Sequence, residues 1–175
     1  MKARGDYDEV KDVDPLVALT DATRARIDHW VGKFPPERRR SALIQGLIAA
    51  QEQNGGWLTD GLITAVAKYL EVPPVWAYEV STFYSMLETH PVGRHNVAIC
   101  TNISCWLNGA DAIVRHCEKR LGVKLGDSTP DGRIYLKKEE ECLAACCGAP
   151  MMAVDGHYHE RLTPEKVDAI LDALK

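Results

Sequence analysis

The cysteines are the feature that most constrains this chain, because all of them lie in its second half. The 175-residue sequence holds six: Cys100, Cys105, Cys117, Cys142, Cys146 and Cys147. In a reducing compartment, cysteines more often bind a metal or carry redox chemistry than form a disulfide framework. The chain therefore divides into a cysteine-free first half and a second half that alone can carry thiolate chemistry.

The overall composition is that of an ordinary globular protein, with 46% hydrophobic and 26% charged residues. The net charge of −4 gives no basic excess, so we expect no nucleic-acid partner. No stretch approaches the ~18 continuous apolar residues of a membrane span, so we expect no direct membrane insertion. The first 14 residues are acidic and lack an apolar run, unlike a secretory signal or a transit peptide. These features predict a cytoplasmic location.

Residues 1–90 are predicted to form a helical bundle domain of short amphipathic helices separated by Pro- and Gly-bearing turns. The first helix spans residues 21–33, and Pro35 and Pro36 end it. The second carries an apolar stripe of Leu43, Ile44, Leu47 and Ile48. The fourth runs from Pro74 to about Phe83 and buries Val75 and Tyr78. Thr59 or Asp60 caps the third, which carries an apolar stripe of Leu62, Ile63, Val66 and Leu70.

Residues 91–175 alternate between strand and helix patterns. Strands are predicted at 95–100, 133–137 and 151–154, and the Asp155-Gly156 hairpin signal predicts a returning strand at 157–159. Helices are predicted from Trp106 to Leu121 and after Thr163-Pro164. This order predicts a small α/β or α+β domain following the helical half.

Four of the cysteines form two closely spaced pairs. Four residues separate Cys100 from Cys105 at the end of a strand, and three separate Cys142 from Cys146 in a loop after another strand. Thiolates suit iron–sulfur clusters, zinc and Cu(I), and a [2Fe–2S] cluster takes four thiolates divided between two irons. From spacing alone, a structural zinc site and buried cysteines that bind no metal both stay open. Cys117 lies on the apolar stripe of its helix and is predicted to be a core residue.

Two runs of sequence carry a resemblance to a known family: CTNISCWLNGA at residues 100–110 and ECLAACCGAP at 141–150. Together they resemble the [2Fe–2S] E subunits of bacterial NADH:quinone oxidoreductase, the respiratory complex I, which are thioredoxin-like ferredoxins. Shorter matching runs are GWL at 56–58, TFYS at 82–85, PVGR at 91–94 and TPEK at 163–166. The resemblance covers the chain from about residue 36 onward.

The resemblance implies an α+β chain, with an N-terminal helical bundle (1–90) followed by a thioredoxin-like α/β domain (91–175) that carries the iron–sulfur cluster. The implied ligands are Cys100, Cys105, Cys142 and Cys146, and Cys147 lies outside this four-cysteine pattern. The implied activity is electron transfer as one subunit of the enzyme. No catalytic residue is expected in this chain alone.

The expected partners are the F subunit, which binds FMN and NADH, and the other complex I subunits. The sequence contains neither a G-x-G-x-x-G run nor a P-loop, so nothing in it holds a dinucleotide. As part of the complex, the chain is expected to be peripheral on the cytoplasmic face of the inner membrane.

Three alternatives stay open at this point. The chain could be the diaphorase subunit of a soluble NAD-linked hydrogenase or formate dehydrogenase. It could be a stand-alone [2Fe–2S] carrier, although a bare carrier does not need a helical extension of this size. It could also be a zinc-stabilised interaction module.

The acidic run at 139–141, directly before Cys142, is expected to lower the reduction potential of a bound iron–sulfur cluster.

Overall fold

The described residues of the first part of the chain form helices without a sheet, whereas those of the second part combine helices with a sheet. The computed structural model describes residues 14–138 and 142–175. The chain divides into two compact units, Met1–Pro91 and Val92–Lys175. The presence of helices and a four-stranded sheet confirms the predicted α+β class.

Side-chain caps and prolines define the helix starts of the first unit. Thr20 caps α2 by accepting a hydrogen bond from the Thr23 N–H at 3.2 Å, and Thr59 caps α4 in the same way. The elements are α1 (Pro15–Ala18), α2 (Asp21–Val31), a 3-10 helix (Pro36–Ala42), α3 (Leu43–Gln53), α4 (Asp60–Tyr69) and α5 (Pro74–Phe83).

The core of this unit agrees with the predicted stripes in α4 and differs from them in α5. Val75 was predicted to be buried, but it is 56% exposed. The inward face of α5 instead carries the small residues Ala77 and Ser81, both buried. Pro74 is the first residue of α5. Because the face that carries Ala77 and Ser81 points inward, the helical periodicity turns Val75 toward the surface. In α3, Ile44 belongs to the predicted stripe but is only half-buried. Gly46 is not part of that stripe and is buried.

The second unit contains β1 (His95–Ile99), α6 (Ile103–Leu107), α7 (Ala110–Leu121), β2 (Ile134–Leu136), a 3-10 helix (Cys146–Gly148), β3 (Met152–Val154), β4 (His157–His159) and α8 (Pro164–Ala173). The single helix predicted from Trp106 to Leu121 is therefore two helices. Gly109 separates them with φ 89°, a left-handed conformation that glycine adopts without strain.

The four strands form one sheet in the order β2-β1-β3-β4. β1 pairs with β2 in parallel, and the β1–β3 and β3–β4 pairs are antiparallel. The buried apolar core on one face of the sheet includes residues of α7 and α8: Val97, Ile99, Ile113, Cys117, Ile134, Leu136, Met152, Val154, Val167 and Leu171. We call this the helix-covered face.

Among residues 14–138 and 142–175, no helix has the length and apolar character needed to cross a membrane.

Candidate metal centre

The strand pairing brings the two cysteine-bearing loops to one edge of the sheet. Cys100 directly follows β1, and Met151 directly precedes β3. Because these strands are antiparallel, the end of β1 lies beside the start of β3. The Cys100 N–H donates a hydrogen bond to the Met151 carbonyl at 3.1 Å. The loop after β1 and the loop before β3 therefore meet at this edge.

The inner pair, Cys100 and Cys105, is buried, and each residue is 2% exposed. Their side chains pack with Ala110 and Met151 in a small apolar group. Cys105 lies on α6, whose first N–H is bound by the Asn102 side chain at 2.9 Å. The sequence thus places one cysteine at a strand end and the other in the first turns of a capped helix.

The pKa of the Cys105 thiol is raised to about 11, chiefly by burial and then by its hydrogen bond with Cys100. A main-chain hydrogen bond from Met151 opposes the rise. Forming a thiolate here is therefore costly without a neighbouring cation. A bound metal supplies that cation and deprotonates coordinating thiols, so the inner pair fits metal ligation.

The outer pair, Cys142 and Cys146, is exposed, and its two sulfur atoms lie 3.8 Å apart. Two sulfurs bound at ~2.3 Å to one tetrahedral metal are also ~3.8 Å apart. Between the two cysteines, Ala144 has φ 57°, which turns the chain within this short loop. Leu143 and Ala145 pack against the apolar group around Cys100 and Cys105, so the loop is anchored to the inner pair.

The cysteines are arranged as two pairs. Within residues 14–138 and 142–175, no three His, Cys, Asp or Glu side chains converge as a mononuclear site needs. A binuclear [2Fe–2S] cluster requires only two thiolates on each iron. The donor set of paired thiols therefore fits a binuclear iron–sulfur group better than a single zinc ion.

The remaining cysteines have different surroundings. Cys117 is fully buried among the side chains of the helix-covered face, which confirms it as a core residue. Its burial, followed by the negative charge of Asp168, raises its pKa to about 12. Cys147 is exposed directly beside Cys146. The acidic run at 139–141 lies outside the described residues.

The sequence analysis did not identify an apolar surface beside the candidate centre. On α6, Ile103 is 71% exposed, Trp106 56% and Leu107 70%, although Cys105 on the same helix is buried. We call these three side chains the α6 patch. The signal was present in the sequence, because a five-residue helix with four apolar residues, Cys105 among them, cannot bury every side chain.

Comparison with known proteins gives a consistent result. A family model described as thioredoxin-like [2Fe–2S] ferredoxin matches residues 27–175. The E subunit of the NADH-quinone oxidoreductase of Rickettsia bellii is 46% identical over 145 residues, which cover 83% of this chain and 86% of that protein. The mitochondrial NADH dehydrogenase (ubiquinone) flavoprotein 2 of Dictyostelium discoideum is 37% identical over 157 residues, covering 90% of this chain and 63% of that protein.

Among solved structures, an NAD+-reducing [NiFe]-hydrogenase in the air-oxidised state is similar with a TM-score of 0.61. The match covers 74% of this chain and 22% of the hydrogenase chain at 21% sequence identity. At this identity the similarity concerns the fold alone.

Proposed function

The chain belongs to the thioredoxin-like [2Fe–2S] ferredoxin family, and on that premise we propose that it is the E-type electron-transfer subunit of an NADH:quinone oxidoreductase. Family membership confirms the thioredoxin-like fold class and the [2Fe–2S] cofactor. The observation that carries the proposal is the meeting of two thiol pairs at one sheet edge, within the matched region. The chain is thus one subunit of a multi-subunit oxidoreductase.

We propose Cys100, Cys105, Cys142 and Cys146 as the four ligands of the [2Fe–2S] cluster. Cys100 with Cys105 and Cys142 with Cys146 would each hold one iron, which matches the observed pairing of the thiols. When bound, the cluster supplies one-electron transfer. The buried inner pair excludes water from one side of the site, whereas the exposed outer pair leaves the other side accessible.

The flavin and NADH sites are proposed to lie on a partner, the F subunit, because the sequence lacks a dinucleotide-binding motif. We propose that the α6 patch contacts that partner. Exposed apolar side chains grouped on one helix are typical of protein–protein contact surfaces. Their position next to Cys105 would place the partner close to the cluster.

The two parts of the chain are proposed to have separate tasks. Residues 91–175 carry the cluster ligands, and the helical domain of residues 1–90 docks on the flavin subunit. As part of a quinone-reducing complex, the chain would be peripheral on the cytoplasmic face of the inner membrane and would also contact other complex I subunits.

The main alternative is a diaphorase subunit of a soluble NAD-linked hydrogenase or formate dehydrogenase. The relatives with high identity are named as E subunits of NADH-quinone oxidoreductase, whereas the likeness to the hydrogenase concerns the fold alone. Mass spectrometry of the subunits that copurify with the native protein separates these two contexts.

The chain purified anaerobically tests the electron-transfer proposal. We expect about two irons and two sulfides per chain, a brown colour and an EPR signal after reduction, but no NADH oxidation with any acceptor. A colourless protein containing zinc would contradict the cofactor and support the interaction module. NADH turnover by the flavin-free chain would contradict the division of work between subunits.

A further inference from the structure

Side chains of β1 and β2 point alternately to the two faces of the sheet. Val97 and Ile99 of β1 and Leu136 of β2 belong to the helix-covered face. Successive residues of a strand point to opposite faces. Ala98 and Cys100 therefore lie on the other face, which we call the second face.

Lys137 continues the pairing of β2 beyond its last residue. Its N–H donates a hydrogen bond to the Val97 carbonyl at 2.9 Å, and the register pairs Val97 with Leu136. Lys137 thus lies beside Ala98 on the second face. Cys100 is the next residue of β1 on that face. With ~3.3 Å per residue and ~4.8 Å between strands, the Cα atoms of Lys137 and Cys100 are roughly 8 Å apart.

Lys137 is only 6% exposed, which is unusual because lysine is among the residues least often buried. The strand order also places Lys137 near the candidate metal centre. β2 is parallel to β1, so the ends of both strands lie at the edge where the two cysteine loops meet. A buried cation is therefore held at the same edge of the sheet as the candidate metal centre.

We propose that the positive charge of Lys137 raises the reduction potential of the iron–sulfur cluster. This inference rests on the proposed function. Reduction adds one negative charge to the site, and a nearby positive charge stabilises the state with the added electron. Salt screens a buried charge much less than an exposed one, so this effect should persist at physiological ionic strength.

The test is an EPR-monitored redox titration of the full-length chain carrying its cluster. Lys137→Met keeps most of the aliphatic side chain and removes the charge, and we expect it to lower the equilibrium constant for reduction about tenfold, or ~59 mV for one electron. Lys137→Arg keeps the charge and should stay within about twofold of the wild type. Lys119→Met is the matched control, because Lys119 is exposed and ~14 Å along α7 from Ala110. It should leave the potential unchanged.

The outcomes separate this inference from the proposed function. If the wild-type chain gives no [2Fe–2S] signal, the proposed function fails and this inference fails with it. If the wild-type signal is normal and Lys137→Met leaves the potential unchanged, only the role of Lys137 is wrong. Equal shifts in Lys137→Met and Lys137→Arg would indicate packing instead of charge and also overturn it. Should Lys137→Met fail to fold, Lys137→Gln compared with Lys137→Arg makes the same distinction.

Discussion

The sulfur atoms of Cys142 and Cys146 lie 3.8 Å apart across a loop in which Ala144 adopts a left-handed conformation. Ala145, which directly precedes Cys146, packs against the apolar group around Cys100 and Cys105. The loop that carries Cys146 therefore contacts both thiol pairs. Cys147 is exposed beside Cys146, and the described contacts include none between its sulfur and Cys142.

The first prediction distinguishes these adjacent cysteines. Cys147→Ala should keep about two irons per chain and the EPR signal of the wild type, because it removes none of the four proposed ligands. Cys146→Ala removes one of two thiolates on an iron and should lose most of the iron or change the spectrum strongly. Iron analysis and EPR of both variants, purified in parallel, measure this.

Two further outcomes of that comparison are informative. A weak and altered signal in Cys146→Ala would indicate that Cys147 replaces the missing ligand, and the double variant should then be colourless. A colourless Cys147→Ala beside an unaffected Cys146→Ala would show that the proposed ligand set is displaced by one residue.

The second prediction concerns the α6 patch. Leu107→Glu should leave the iron content unchanged and weaken copurification with the flavin-bearing partner at least tenfold, because it places a charge in a desolvated contact. The control is Tyr158→Glu on β4, which lies outside the helical domain proposed to dock on the flavin subunit and is 53% exposed. Equal loss of the partner in both variants, or in neither, would contradict a specific contact at α6.

The third prediction concerns Gly93, just before β1. A Cβ at this position would lie 2.5 Å from the Ile134 carbonyl carbon and 2.6 Å from the Tyr135 nitrogen, both main-chain atoms of β2. Gly93→Ala should therefore destabilise the protein by about 1–3 kcal/mol, measured by urea denaturation. Gly32→Ala is the matched control, since its Cβ would meet nothing closer than 3.5 Å. Similar stability of the two variants would show that β2 moves aside without cost.

The fourth prediction concerns pH. His95 Nδ1 lies 2.7 Å from Asp155 Oδ2, and His95 Nε2 lies 2.9 Å from the Lys175 carbonyl oxygen. Both acceptors are satisfied only when both ring nitrogens carry a proton. The hydrogen bond to Asp155 and then the one to the Lys175 carbonyl raise the pKa of His95.

Because the folded-state pKa of His95 is raised, the pair stabilises the fold fully below the ordinary histidine pKa of ~6.5 and less as the pH rises through the raised value. Asp155→Asn keeps an oxygen for the Asn96 N–H, which now binds Asp155 Oδ1 at 2.8 Å. It should therefore destabilise the protein more at pH 6 than at pH 8. Denaturation at both pH values and an NMR titration of His95 measure this. An equal loss of stability at both pH values would exclude an ionised His95–Asp155 pair.

Local sequence patterns determined many elements of this fold. The apolar residues of α4 and the Thr59 cap specify that helix without reference to the rest of the chain. Asp155 and Gly156 have φ values of 50° and 80°, as expected from the hairpin signal between β3 and β4. The spacing of the cysteines likewise identified two pairs, and their assignment as ligands remains a prediction.

Tertiary structure decided which residues come together. The antiparallel pairing of β1 with β3 joins Cys100 to Met151, and no local pattern specifies that these two strands become neighbours. The burial of Lys137 and the exposure of Val75 likewise contradict what their residue types suggest. The physical reason is that periodicity, caps and turns act over a few residues along the chain. Strand order and burial instead depend on contacts between distant segments, which form only when the whole domain packs.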